Sequence, residues 1–347
     1  MSRHRADQHR TDQHRSDRHR PDQLAAPPAP PKQTLHIVSG KGGTGKTTIA
    51  VSLACALATA GRRVLVCEVE GRHGITDLFG RPPLDGAEEP RLTRTPSGGS
   101  VHGLAIDAED ALLEYLDTYY RLGFAAKALE KFGFVDFVTS IAPGLRDVVL
   151  TGKVYEAVRR QRKGLPDAYD AVVLDAPPTG RIAQFLNIHE AVSGLTKVGP
   201  IRSQADSINA MLRDSATVVH LVTLLEDMPV TETDEAIEQL RPTQITVGTV
   251  IANMVRSMPL TDEQLRTFAD GNGALHVPGL DVADNKTLAG EFGAEATRTL
   301  DHRRLRTVLD DFGKPVAEVA FDPGGIDENA VFVIADQLRA QLALERE

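Results

Sequence analysis

The chain has 347 residues, 41% of them hydrophobic and 25% charged, with a formal net charge of −9. That supplies a full apolar core, in one large α/β domain or in two, and leaves no general electrostatic case for a nucleic-acid or anionic-membrane partner. No apolar run reaches the length of a membrane span and no signal peptide is visible, so a cytoplasmic protein is expected.

In chain order, residues 4–23 repeat a pentapeptide (HRADQ, HRTDQ, HRSDR, HRPDQ), and LAAPPAPPK follows at 24–32. With so little apolar surface to bury, residues 1–32 read as a disordered tail and Pro-rich linker. Its four histidines offer a metal site; a plain low-complexity tail is the favoured reading. TLHIVS (34–39) is a β-branched apolar run and reads as a strand. TIAVSLACALATAG (48–61) has helical apolar spacing and ends on Gly61. RRVLVCEVE (62–70), HGLAID (102–107), AVVLDAP (171–177), ATVVHLVTLL (216–225), QITVGTVIAN (244–253) and VAEVAF (316–321) read as further strands, with a closing helix at 329–344. The alternation predicts a doubly wound, mostly parallel sheet over residues 33–347. Two helical stretches, 108–165 and 181–213, break the rhythm and predict a helical insertion subdomain at the carboxyl edge of the sheet. Cys55 and Cys67 fall in apolar stretches and read as buried thiols, with neither a disulfide framework nor a zinc site expected.

Between the first strand and the first helix stands SGKGGTGKTT (39–48). Gly40-Lys41-Gly42-Gly43-Thr44-Gly45-Lys46-Thr47 fits G-x-x-x-x-G-K-[ST] at every fixed position, in the strand–loop–helix setting that makes this pattern a phosphate site. The glycines let backbone N–H groups converge on phosphate oxygens, and the helix N-terminus adds partial positive charge. Lys46 is expected on the β/γ-phosphates and Thr47 on Mg²⁺, so ATP and Mg²⁺ are the expected cofactors. Thr48 extends the nucleotide-binding set.

Hydrolysis needs acids as well. Asp175 ends an apolar strand, where a carboxylate reaching Mg²⁺ through water belongs; the competing reading is a cap on the next helix. Glu68 and Glu70 alternate onto one side of strand two. Glu70 is the candidate that positions the attacking water, with Glu68 tuning the site; solvated edge charges are the alternative.

These pieces resemble the deviant-Walker P-loop ATPases, which carry a lysine right after the first loop glycine. Within that class the resemblance is to the family of arsenite-pump-driving and tail-anchored-protein targeting ATPases. GRHGITDLFG (71–80), with His73 and Asp77, looks like the family's first switch. DAPPTGR (175–181) looks like its second, and LLEDMPVTETDEAIEQL (224–240) like its P-x-x-E-T helix start. Glu70 stands where the family usually has aspartate, and Arg181 where it usually has histidine. The resemblance implies Mg-dependent ATP hydrolysis and adenine reading by Asn253. It also implies a homodimer, or a heterodimer with a paralogous ATPase, in which Lys41 crosses to the partner's phosphates as a catalytic lysine; a solvent-facing loop lysine is the bland reading. A protein client or a membrane-protein partner is implied too, with peripheral membrane association through that partner. The cysteines of the family's zinc and metalloid sites have no counterparts, so neither site is expected.

The leading expectation is therefore a dimeric ATP-driven switch coupling hydrolysis to client or partner binding. Its competitor is a partitioning or positioning ATPase, which would favour a basic DNA face or a basic amphipathic C-terminus; LRAQLALERE is too acidic for that. A redox ATPase of the nitrogenase type needs cluster cysteines. With only five methionines, a large Met-lined client groove is disfavoured, and residues 134–159 are the better candidate surface, with a buried core explaining them equally well.

Overall fold

Eight strands form one sheet in the computed structural model: β1 (Leu35–Gly40), β2 (Arg63–Val69), β3 (Arg91–Arg94), β4 (Ser100–Ile106), β5 (Ala171–Asp175), β6 (Thr217–Leu224), β7 (Val247–Val255) and β8 (Val316–Ala320). Their spatial order is β3-β4-β2-β5-β1-β6-β7-β8. Every pairing is parallel except the antiparallel β3–β4 edge. The structure describes residues 34–69, 74–84, 86, 88–120, 143–188, 200–342 and 344. All elements named here belong to the compact unit Lys32–Glu347. The expected tail at 1–32 lies outside the described residues, as do Glu70, His73 and the apolar stretch LEKFGFVDFVTSIA.

The central strands are buried on both faces, which is why their sequences read as continuous apolar runs. All six residues of β1 are buried. Helices α1 (Lys46–Ala58) and α10 (Glu328–Gln341) cover one face, where Val38, Val66, Val173 and Val222 meet Ile49, Leu53, Val331 and Leu338. The other face, with Leu35, Ile37, Leu174 and Leu221, packs against residues of α4 (Pro143–Arg162), α5 (Thr179–Leu186), α6 (Pro200–Leu212) and α7 (Asp227–Leu240). Burying each such side chain is worth about 1.5–3 kcal/mol, so this two-sided core is the main driving force for the fold. Short α2 (Gly74–Asp77) follows β2 and α3 (Ala108–Tyr120) follows β4. Thus helices at 108–120, 143–162, 179–186 and 200–212 occupy the two stretches that interrupt the sequence rhythm.

Three features depart from the sequence expectation. Strand β3, RLTR, is short and mostly polar, and it gains its place by pairing with β4 and by burying Leu92 in the core. Helices α8 (Asp262–Ala269) and α9 (Val282–Asp311) form a pair where no element was expected. Only Gly293, Ala296, Thr299, Leu305 and Leu309 of the 30-residue α9 are buried, a stripe too thin to register as amphipathic. Strand β7 starts three residues later than expected, because Gln244 sits at φ 63° behind a 3-10 turn and the chain must leave that left-handed conformation first.

Strand order places the site. The chain runs outward from β1 to β2, β4 and β3 on one side and to β6, β7 and β8 on the other, with β5 inserted beside β1. The reversal lies at the carboxyl end of β1, the position where ligands bind in open α/β sheets.

Candidate nucleotide site

The loop 41–45 leaves β1 and opens directly into α1, and it is glycine-rich for reasons visible in its contacts. A Cβ on Gly40 would stand 2.1 Å from the Val222 carbonyl oxygen of β6, so the close approach of two backbones demands glycine. Gly45, the residue before α1, has φ 85°, and a Cβ there would meet Asn253 Nδ2 at 2.4 Å. The turn is pinned from inside: Thr44 N and Thr44 Oγ1 donate to the Lys41 carbonyl at 3.4 and 2.9 Å.

The two loop lysines part company. Lys46 is buried, and its Nζ donates to the Lys41 carbonyl oxygen at 3.1 Å, under the arch of the loop. Lys41 turns outward, and its Nζ pairs with Glu232 Oε1 of α7 at 2.7 Å. Glu232 is the glutamate of the P-x-x-E-T stretch. It was not among the residues singled out from sequence, although the motif itself was the available signal.

Carboxylates gather at the neighbouring strand ends. Glu68 of β2, Asp175 of β5 and Val38 of β1 lie abreast in register. Asp175 Oδ2 accepts from Thr47 Oγ1 at 2.6 Å, which joins the first turn of α1 to the end of β5. Two hard oxygen donors this close suit Mg²⁺, which takes one or two protein oxygens and completes its shell with phosphate and water. Among the described residues no group of three or more His, Cys, Asp or Glu could hold a metal unaided. The helix-cap reading of Asp175 gains nothing, since α5 has no side-chain cap. Glu68 is buried, and its Oε2 accepts from Ile75 N at 3.3 Å. It therefore anchors the segment resembling a first switch, and Gly74 of that segment lies against Thr47, where a Cβ would be 3.1 Å from Thr47 Cγ2. Asp77 is exposed on α2.

The second-switch segment is tied down at its start. Ser39 Oγ donates to the Pro177 carbonyl at 2.6 Å, and Ala176 N to the Val38 carbonyl at 2.9 Å. Thr179 opens α5, and its buried Oγ1 has no hydrogen-bond partner among the described residues. Arg181, two residues on, stands 3.6 Å from the buried Asp147 carboxylate of α4.

On the other side of the loop, Asn253 of β7 donates from Nδ2 to the Thr44 carbonyl at 2.9 Å and accepts at Oδ1 from Met254 N at 2.9 Å. That second bond holds Met254 at φ 55°, a left-handed conformation that is uncommon outside glycine. Beside it lies a cavity of about 260 Å³ lined by Leu225, Glu226, Asn253, Arg256, His302 and Phe321. The Arg256 guanidinium sits 3.8 Å from the Phe321 ring centroid. His302 of α9 accepts from Arg256 N at 3.2 Å through Nδ1, and burial, helped by the Arg256 charge, pushes its pKa down. Sequence reading reached Asn253 but missed Arg256, His302 and Phe321, which come from three distant segments.

The residues Gly40, Gly42, Gly43, Thr44, Gly45, Lys46, Thr47, Thr48, Asp175 and Asn253 thus surround one loop; Thr48 is the half-buried third residue of α1. Both cysteines are buried and free; burial raises the Cys55 thiol to about 12 and pushes Cys67 up further. No helix among the described residues is long and apolar enough to cross a membrane.

Comparison with known proteins agrees with this geometry. The family described as anion-transporting ATPase matches residues 33–212. ATPase BagA of Mycobacterium tuberculosis (strain ATCC 25618 / H37Rv) is 45% identical over 316 residues, spanning 88% of this chain and 93% of the relative. ATPase GET3 of Lachancea thermotolerans is 25% identical over 254 residues, 63% of this chain and 71% of its own. ATPase ARSA1 of Chlamydomonas reinhardtii is 26% identical over 208 residues, covering 51% of this chain and 25% of its own. A phosphate loop at the sheet's switch point, aligned with ATPases along most of its length, has one reading: the chain belongs to the anion-transporting ATPase family and is a nucleotide-binding, ATP-hydrolysing member of it.

Proposed function

We propose that the protein is a dimeric Mg-ATP switch in which each subunit supplies Lys41 to its partner's nucleotide. The observation that carries this reading is the divergence of the two loop lysines. Lys46 lies buried under the loop, while Lys41 reaches out to Glu232, away from the arch that would hold its own phosphates. A cation presented outward beside a phosphate loop is placed as an arginine finger supplied in trans is placed. Gly42 supports the same reading. Among the described residues a Cβ there would meet nothing within 4 Å and its φ is not left-handed, so no described neighbour demands glycine. A close approach from outside would.

Bound Mg-ATP would supply the electrophilic γ-phosphoryl group and the charge that the metal shares. Around it, Lys46 and the loop amides would hold the phosphates, and Thr47 with Asp175 would hold Mg²⁺, Asp175 through water. Asn253 would read adenine at the edge of the 260 Å³ cavity. Glu70, next to the end of β2, would orient the attacking water. The second switch would carry the nucleotide state outward through α5, whose Arg181 lies against Asp147 of α4. This is how phosphate charge becomes segment ordering in such switches, and it makes the α3–α6 layer the surface for a client or a partner.

Lys41→Ala tests the reading. It should bind ATP nearly as well as wild type, because Lys46 and the amides remain, yet turn over at least a hundredfold more slowly, the lower range for loss of one transition-state donor. Undiminished turnover would sink it.

A further inference from the structure

We propose that Glu232 is a positioning residue for Lys41: it holds the lysine within its own subunit and so sets how readily the lysine reaches a second copy of the chain. The inference rests on the reading of Lys41 given above and adds the residue that governs it. Lys41 Nζ and Glu232 Oε1 are 2.7 Å apart, with side chains 31% and 30% exposed. The pair is therefore screened but not fully solvated, and it stands at the open side of the loop, next to exposed Gly42 and Gly43.

The competition is physical. A lysine ammonium is one point charge on a flexible stem. A stem extended to a phosphate of another subunit draws the ammonium away from Glu232, so the two anions compete for one charge. Moving it requires breaking the cis pair, and the triphosphate, with more negative charge than one carboxylate, is the partner that can draw it away. An exposed ion pair shifts an equilibrium by a factor of about 1.4 to 5, and a symmetric dimer breaks two of them, so the combined effect on dimer assembly is roughly two- to thirtyfold.

Glu232 is also set to respond to the rest of the molecule. Its helix, α7, shares the core that holds Ile182 and Phe185 of α5, the helix of the second switch. At its first residue α7 is joined to α9 by Asp227 and Arg304 at 2.9 Å. A displacement of α5, packed in the same core, is therefore placed to move the carboxylate that holds Lys41. Glu232 thus sets the threshold for pairing rather than taking part in phosphoryl transfer.

The test uses the full chain and Glu232→Gln, which keeps the shape and removes the charge. Two quantities are measured: the rate at which an amine-acylating reagent modifies Lys41 without nucleotide, read by peptide mass spectrometry, and the protein concentration giving half-maximal ATPase activity per subunit. Lys41 should be modified about 1.4 to 5 times faster in the variant, and the half-maximal concentration should fall by roughly two- to thirtyfold. Added salt should lower that concentration more in wild type than in the variant, a difference that a merely structural role for Glu232 would not produce. An unchanged labelling rate, or an unchanged or raised half-maximal concentration, overturns the proposal. The Lys41→Ala protein tells the two failures apart: if it hydrolyses ATP like wild type, the trans reading falls and the latch with it. If it is inactive while Glu232→Gln matches wild type in both measurements, only the latch falls.

Discussion

Thr47 Oγ1 donates to Asp175 Oδ2 at 2.6 Å, across the junction between the first turn of α1 and the end of β5. The bond pre-sets two oxygens that sequence separates by more than a hundred residues. Asp175→Asn should keep the fold, since the amide can still accept from Thr47, but it removes the charge that the proposed Mg²⁺ would face. Mg-dependent turnover should fall by about 10- to 100-fold, the usual cost of losing a partner that orients a metal site. A magnesium titration of ATPase activity checks this, and a curve matching wild type would remove Asp175 from the site.

Gly45 carries two constraints at once, φ 85° and an Asn253 amide nitrogen 2.4 Å from where a Cβ would be. Gly45→Ala should therefore cost about 1–2 kcal/mol in backbone strain and also push Asn253 from the Thr44 carbonyl. ATP affinity should drop by roughly tenfold or more, a loss of about 1.4 kcal/mol per decade. Calorimetric titration with a non-hydrolysable ATP analogue measures it, and unchanged affinity would dissociate Asn253 from nucleotide binding.

If each site combines its own Glu70 with the partner's Lys41, Lys41→Ala and Glu70→Gln should each be nearly inactive alone. Mixed and allowed to exchange, about half the dimers become heterodimers with one complete site of two, so activity should recover to about a quarter of wild type. The mixing assay separates trans from cis: no recovery means that Lys41 acts within its own subunit.

His36 of β1 and His220 of β6 stack at 5.5 Å between ring centroids, with Nδ1 of the first 3.2 Å from Nε2 of the second. Burial pushes the His220 pKa from 6.5 down to about 4, so the folded protein holds this ring neutral. The unfolded chain takes up a proton below pH 6.5 that the folded one refuses until about pH 4. Stability is therefore full above that window and falls as the pH drops through it, by about 3 kcal/mol in all. Urea unfolding at a series of pH values should show this loss in wild type and a flatter profile in His220→Gln. Equal slopes would mean that His220 does not control acid stability.

Much of this was legible in sequence because it is local. Strand, glycine loop and helix at 34–61 are contiguous, and the hydrophobic period changes from continuous to helical across them. The same holds for the buried strand ending in Asp175, since a strand covered on both faces has to be apolar throughout. Resemblance in three short stretches led to the family that the comparisons then showed.

What only the tertiary structure decided is which distant residues meet. The insertion of β5 between β2 and β1 brings Glu68 and Asp175 abreast, and strand order is set by the packing of two helical layers, which no local pattern encodes. The pairing of Lys41 with Glu232 spans 191 positions, and the cavity beside Asn253 draws Arg256, His302 and Phe321 from the loop after β7, from α9 and from the loop after β8. Polar side chains at such positions carry no periodic signal. Their roles arise when the core, driven by burial of apolar surface, fixes the backbone and leaves each charge to find the partner within reach.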